Sequence, residues 1–169
     1  YTQSHINSDV MDLYLISKCK FFVATQSGIL DTAHMFNKPI LMTNMNEIFC
    51  SYPLKKNDRG IFKTIRIKGQ NTSLNLLDYI KMDYSKHNPI KEISEFDFEE
   101  NSPEDLYDSI VEFENIYKGE NYNLSENQLK INKIIKNRFN NSLYKDLMNV
   151  PDPFNKIENS KMAFFVKST

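Results

Sequence analysis

Thr25-Gln26-Ser27-Gly28 puts two hydroxyls, a carboxamide and a residue without a side chain in four consecutive positions. These groups could hold an oxyanion. The stretch lies between an apolar run, Phe21 to Ala24, and an amphipathic one beginning at Ile29. A helix starting here leaves its first amide hydrogens without partners and carries partial positive charge at that end. With Ser27 as the cap, the amides of Gly28, Ile29 and Leu30 face outward, and Gly28 presents no side chain to an approaching phosphate. Asp31, in the first turn, repels a phosphate but can bond a ribose or sugar hydroxyl. Asn44 and Asn46 follow a second apolar run and could contact base, ribose or acceptor. An ordinary strand-to-helix turn and turn-forming asparagines account for the same residues. The two common nucleotide fingerprints, GxGxxG and GxxxxGK[ST], are absent from the sequence.

Other residues could do chemistry. Asp31 and His34 are three apart and can meet on one helix face as a base with its orienter, or as a solvent-facing polar pair. Lys55, Lys56 and Arg59 could bring a cation to a departing diphosphate, or form a solvated charged loop. Asp9 and Asp12 suit helix capping and the helix dipole, with a donor-site role open for Asp9. His5 and His87 have no partner in sequence and read as surface residues. Cys19 and Cys50 show no CxxC spacing and no grouping with histidine, which points to reduced thiols and a reducing cytoplasm. No Asp-x-Asp is present, and no metal or cofactor is expected.

The elements that must position these groups follow from spacing. Asn7-Ser8-Asp9 can cap a helix over 9–18, with Val10, Leu13, Tyr14 and Ser17 at helical intervals. Residues 21–25 read as a buried strand and 28–36 as a helix with Ile29, Ala33 and Phe36 on one face. Pro39 ends that helix, and 40–43 is the next strand. Two strands joined this way normally lie parallel, with a right-handed crossover. Asn57-Asp58-Arg59-Gly60 reads as a turn and 63–68 as an exposed strand. Ser73 starts a short helix over 74–81, residues 82–94 form a loop, and 93–98 alternates like an edge strand. Ser102-Pro103-Glu104-Asp105 begins a helix that Gly119 ends, with Leu106, Ile110, Phe113 and Tyr117 as its apolar face. Ser125 opens a longer helix carrying Leu129, Ile131, Ile134, Ile135, Phe139, Leu143 and Leu147, broken at Pro151 and Pro153. Its Lys and Asn residues from Lys130 to Lys145 form a wet face. Residues 162–166 are an apolar tail expected to dock on the body. The alternation gives an α/β layer structure.

Composition sets the bounds. A chain of 169 residues is enough for one domain with a real core. With 21 basic and 22 acidic residues and a net charge of −1, it lacks the basic excess of a general nucleic-acid binder. No apolar run approaches the ~20 residues of a membrane span. The sequence begins at Tyr1, with a polar stretch unlike a signal peptide, and reads as though an N-terminal half precedes it.

The segment DVMDLYLISKCKFFVATQSGILDTAHMFNKPILMTN, Asp9 to Asn44, resembles the nucleotide-binding core in the C-terminal half of GT-B glycosyltransferases. It is most similar to a bacterial glycosyltransferase family, and FEENSPEDLYDSIVEFE, Phe98 to Glu114, suits the same family. A more distant similarity is to the heptosyltransferase pattern, a strand, DSGpmH, a helix and GkPv. Here Gln26 replaces the Asp of that pattern and Asp31 its His, while Ser27-Gly28 is kept.

The resemblance implies an α/β fold, a Rossmann-like parallel sheet flanked by helices, as the C-terminal half of a GT-B enzyme. Residues 1–150 would be the donor-binding domain, residues 151–169 a tail packing on the body. A missing N-terminal domain would supply most acceptor contacts and commonly the catalytic base, so the fragment alone would be inactive. The implied partners are a nucleotide-diphosphate sugar and a glycan acceptor, with no nucleic acid and no transmembrane segment. The implied substrate-binding residues are Thr25, Gln26, Ser27, Gly28, Ile29, Asp31 and Asn44; no catalytic residue is assigned. The location implied is cytoplasmic, with a peripheral position on the inner membrane open. The alternative is a non-catalytic α/β domain that binds a nucleotide or a protein partner.

Overall fold

Ser8 has extended backbone and its Oγ accepts a hydrogen bond from the Met11 amide at 3.2 Å, so α1 (Asp9–Lys18) begins at the expected cap. In this computed structural model, residues 3–5, 7–46, 57–70, 72–81, 95–119, 123–141 and 163–165 are described. The buried residue of α1 is Ile16; Val10, Leu13 and Tyr14, expected on the apolar face, are exposed. The chain then enters β1 (Phe22–Ala24), α2 (Ile29–Met35) and β2 (Ile40–Met45). β1 and β2 pair parallel, with Phe22 opposite Ile40 and Ala24 opposite Met42. This is the expected strand–helix–strand unit. Asn37 takes a left-handed φ of 54°, which ends α2 just before Lys38-Pro39. α2 buries Leu30 and Ala33, while Ile29 and Phe36 stay exposed. Only Ala33 of the expected face is in the core, because the helix is rotated to lay Leu30 on the sheet.

β3 (Arg59–Phe62) continues the sheet parallel to β2, and β7 (Ala163–Phe165) pairs parallel with β3, giving the order β1-β2-β3-β7. Two sequence expectations change here. Residues 57–60, read as a turn, include the start of a buried strand. Asp58 is completely buried and its Oδ1 accepts from the Ile40 amide at 2.9 Å, so its carboxylate serves β2. The apolar tail does not simply dock: part of it is a strand of the main sheet.

A second, antiparallel sheet runs β5-β4-β6, from β4 (Thr64–Ile67), β5 (Ser73–Leu74) and β6 (Phe96–Glu99). Ser73 and Leu74, expected to open a helix, pair instead with Arg66 and Ile65. The helix α3 (Leu76–Lys81) starts later, where the Asn75 Oδ1 accepts from the Leu77 amide at 2.8 Å. The strand expected at 63–68 is not wholly exposed, since Ile65 is in the core. The loop expected over 82–94 lies outside the described residues.

α4 (Pro103–Tyr117) opens on a reciprocal capping box between Ser102 and Asp105 and ends at Gly119, whose φ is 83°. α5 (Glu126–Asn141) follows, with Ser125 Oγ accepting from the Gln128 amide. Leu143, Leu147, Pro151 and Pro153 lie outside the described residues. On one face of the main sheet, Ile40, Met42 and Phe62 pack with Leu30 and Ala33 of α2, Tyr79 of α3 and Ile131 of α5. On the other, Leu41 and Ile61 pack with Phe113 of α4, and Phe21 meets Phe113 edge-to-face at 5.3 Å. The parallel sheet is thus covered by helices on both faces, a Rossmann-like α/β arrangement. No helix among the described residues is long and apolar enough to cross a membrane.

Because α4 already has its box and Pro103, Glu104 adds only charge at the helix start. Glu104→Gln is expected to change stability by about 0.3–0.5 kcal/mol in urea unfolding. A larger loss would give Glu104 a role that an exposed first-turn carboxylate lacks.

Candidate functional site

In an open parallel sheet the loops after the strand carboxyl ends are where ligands are taken. Here those loops begin at Thr25, Asn46 and Lys63. The Thr25–Gly28 loop stands at the carboxyl end of β1, as expected, but its local chemistry differs from the expectation. Gly28, not Ser27, is the N-cap of α2, and Gly28 has no side chain with which to cap. The Ser27 hydroxyl instead donates back to the Thr25 carbonyl at 3.3 Å. The Ser27 carbonyl accepts from the Leu30 amide at 3.1 Å, and the Gly28 carbonyl from the Asp31 amide at 3.2 Å. Leu30 is therefore removed from the expected set of outward amides. The amides of Gly28 and Ile29 have no acceptor among the described residues. A Cβ at Gly28 would meet no described atom within 4 Å, so the space beside the Gly28 Cα is open.

Thr25, Ser27, Gly28 and Ile29 are exposed, and Gln26 is half-buried. The Gln26 Nε2 is shielded from solvent and has no hydrogen-bond partner among the described residues. A buried amide donor in that state costs about 1–3 kcal/mol, so a small rotation that gives it an acceptor is favourable. Asp31 is exposed in the first turn of α2, and His34 is half-buried in its last turn.

Asn44 occupies the carboxyl end of β2 with a left-handed φ of 54°. Its amide donates to the Asn101 Oδ1 at 2.7 Å and its own Oδ1 accepts from the Asn101 amide at 2.6 Å. The Asn101 Nδ2 donates to the Phe62 carbonyl at 2.8 Å. These bonds tie the ends of β2 and β3 to the start of α4. The Asn44 carboxamide oxygen is committed to this clamp, leaving only its NH2 for a ligand. The Asn46 carbonyl accepts from the Tyr79 hydroxyl at 3.1 Å.

Arg59, expected in a loop that delivers a cation, is a buried residue of β3, and its Nη1 donates to the Asp58 carbonyl at 2.7 Å. It is fixed inside the sheet. Lys55 and Lys56 lie outside the described residues. Among the described residues, the cation that stands at a strand carboxyl end is Lys63, after β3, with its Nζ 2.7 Å from Glu100. It is two strands from β1, about 10 Å across the sheet. Sequence inspection passes over Lys63 because it looks like one more lysine of an alternating strand. Asn101 is passed over because its partners are 57 and 39 residues away.

No group of three or more His, Cys, Asp or Glu residues that could hold a metal ion occurs among the described residues. Cys19 is a free thiol whose Sγ donates to the Ile16 carbonyl at 3.1 Å. Comparison with family models, with curated proteins and with solved structures returns no match.

Proposed function

We propose that this chain is the donor-binding half of a glycosyltransferase, holding a nucleotide-diphosphate sugar at the carboxyl ends of β1 and β2. The observation that carries the reading is the pair of amides at Gly28 and Ile29, two exposed residues at the carboxyl end of a parallel strand, which have no acceptor among the described residues. Its second support is the sequence resemblance over Asp9 to Asn44.

In this reading the diphosphate oxygens accept from the Gly28 and Ile29 amides. Thr25 and Ser27 add hydroxyls, and the Gln26 carboxamide turns its donor to the ligand. Asp31 bonds a sugar or ribose hydroxyl rather than a phosphate, and the Asn44 NH2 reaches the nucleoside side. In transfer, the bond between the anomeric carbon and the phosphate oxygen breaks and its electron pair stays on the diphosphate. The acceptor hydroxyl oxygen bonds the anomeric carbon and gives up its proton to a base on the facing domain. The amides act by stabilising the leaving charge. The acceptor is a glycan or other cell-surface molecule.

A thermal-shift series with GDP-, UDP-, ADP- and CMP-sugars tests this. A ligand present at about a hundredfold over its Kd adds roughly 2.7 kcal/mol, a rise of roughly 5–10 °C in Tm for a chain of this size. One diphosphate sugar should raise Tm more than its bare nucleoside diphosphate. Equal shifts with and without the sugar would favour a nucleotide-binding domain without transfer chemistry, and no shift with any of them would remove the donor-binding reading.

A further inference from the structure

α1 is more apolar than its burial explains. Val10, Met11, Leu13, Tyr14, Leu15 and Ile16 are apolar and lie around most of its circumference, and a helix of that kind is normally covered. α1 packs against α2, but Ile16 is its one buried residue. Val10 is 76% exposed, Tyr14 55% and Leu13 46%. Positions i, i+3 and i+4 are neighbours on a helix surface. These three residues therefore form one stripe by the geometry of α1 itself.

Charges of opposite sign flank the stripe at its two ends. Asp9 is exposed in the first turn, four residues before Leu13. Lys18 is exposed in the last turn, and its Nζ lies 5.8 Å from the centre of the Tyr14 ring. Lys20 is exposed just beyond the helix. An acid at the start and a base at the end also suit the helix's own dipole. An occupant of the stripe must be apolar in the middle, with a cation to meet Asp9 and an anion to meet the lysine end. A second α1 laid antiparallel offers this pattern. Leu13 and Tyr14 meet their own copies near the axis, and Asp9 of each chain stands beside the lysine end of the other. The two helix dipoles then oppose each other. A two-fold axis makes such a stripe complementary to itself. A surface of one sign, lipid or nucleic acid, would attract one end of α1 and repel the other.

We propose that the Val10–Leu13–Tyr14 stripe of α1 is the contact between two copies of this chain, packed antiparallel across a two-fold axis. The contact uses no residue of the Thr25–Gly28 loop and is independent of the donor-binding reading. α1 has ten residues and is about 15 Å long. One helix pair of that length is smaller than a standard interface of roughly 1,600 Å², so the dimer should be reversible.

Sedimentation velocity of the chain from micromolar to millimolar concentration tests this. The average mass should rise from that of one chain towards that of two. Leu13→Glu sets two carboxylates beside the axis and should raise the dissociation constant at least roughly tenfold. Asp9→Lys, and separately Lys18→Glu with Lys20→Glu, should each weaken association, because like charges then meet at both ends. An equimolar mixture of those two variants should associate more tightly than either alone, since only the mixed dimer has opposite charges at both ends. All four positions are exposed, and melting curves in dilute solution check that the variants fold. The mass of one chain at every concentration, a Leu13→Glu variant that associates like the parent, or a mixture no tighter than its components would overturn the proposal.

Discussion

Asn101→Ala is expected to destabilise the chain by about 3 kcal/mol, read as a fall in the urea midpoint with little change in slope. Asn101 is 6% exposed and takes part in three hydrogen bonds. Two of them, from the Asn44 amide and to the Phe62 carbonyl, use its side chain. Alanine removes both and leaves those two main-chain groups unmet, at about 1–3 kcal/mol for each that is buried. The bond from the Asn101 amide to Asn44 Oδ1 survives in principle. However, Asn44 then holds its left-handed backbone with one anchor fewer. Asn101→Asp separates the two contributions. It keeps an acceptor for Asn44 but faces a carboxylate to the Phe62 carbonyl, so it should be no better than alanine. Asn44→Gly should cost less, about 1 kcal/mol, because glycine accepts φ of 54° without strain while losing one acceptor. An Asn101→Ala midpoint equal to the parent's would mean that the ends of β2 and β3 are held by packing alone.

That clamp also marks the limit of what the sequence discloses. The β1–α2–β2 unit is legible because its signals are local. An apolar run stops at a hydroxyl- and glycine-containing turn, and Pro39 forces an end to the helix before the next apolar run. The start of α4 is legible for the same reason, since Ser102, Pro103 and Asp105 form a cap within four residues. Asn44 reads as a ligand contact or a turn former and not as half of a clamp, since its partner is 57 residues away. The start of β3 is missed because Asn57, Asp58 and Gly60 are turn residues by type. In the folded chain Asp58 is buried and satisfied by the Ile40 amide, a bond across two strands that no local pattern announces. Ser73 and Leu74 are missed because a two-residue strand has no period to detect, and Asn75 behind them supplies the cap that Ser73 was expected to give. The orientation of α2 is ambiguous from spacing, since Ile29 and Leu30 are adjacent and either could begin an apolar face. Contact with Ile40 and Met42 selects Leu30.

The site is legible only as far as its backbone. The sequence places a turn with a glycine at a strand end; it does not show that Ser27 bonds back to Thr25 rather than capping α2. This changes what substitution should do. Ser27→Ala now removes a 3.3 Å bond within an exposed loop, and its stability cost should stay within about 0.5 kcal/mol rather than the ~1 kcal/mol of a lost cap.

Gly28→Val should leave the chain folded and lower its affinity for a nucleotide-diphosphate sugar at least about tenfold, or 1.4 kcal/mol. Folding should survive because Gly28 has a φ of −60°, open to any residue, and its Cβ position meets no described atom within 4 Å. Valine is a poorer N-cap than glycine, so a loss of stability of up to about 1 kcal/mol is expected. Binding should not survive so easily. An oxyanion must come within about 2.9 Å of the Gly28 or Ile29 amide, and the branched side chain would occupy the open space through which it approaches. Gly28→Ala, with a single methyl, should fall between parent and valine. Titrations belong at a temperature where parent, Gly28→Val and Ser27→Ala are all folded, so that stability does not enter the measured affinity. Ser27→Ala should lose only the contribution of one hydroxyl, severalfold rather than tenfold. A graded loss from glycine through alanine to valine would tie the ligand to these two amides. Affinity unchanged in Gly28→Val would reduce the loop to a plain connection between β1 and α2, and the ligand would have to be sought at the ends of β2 and β3 instead.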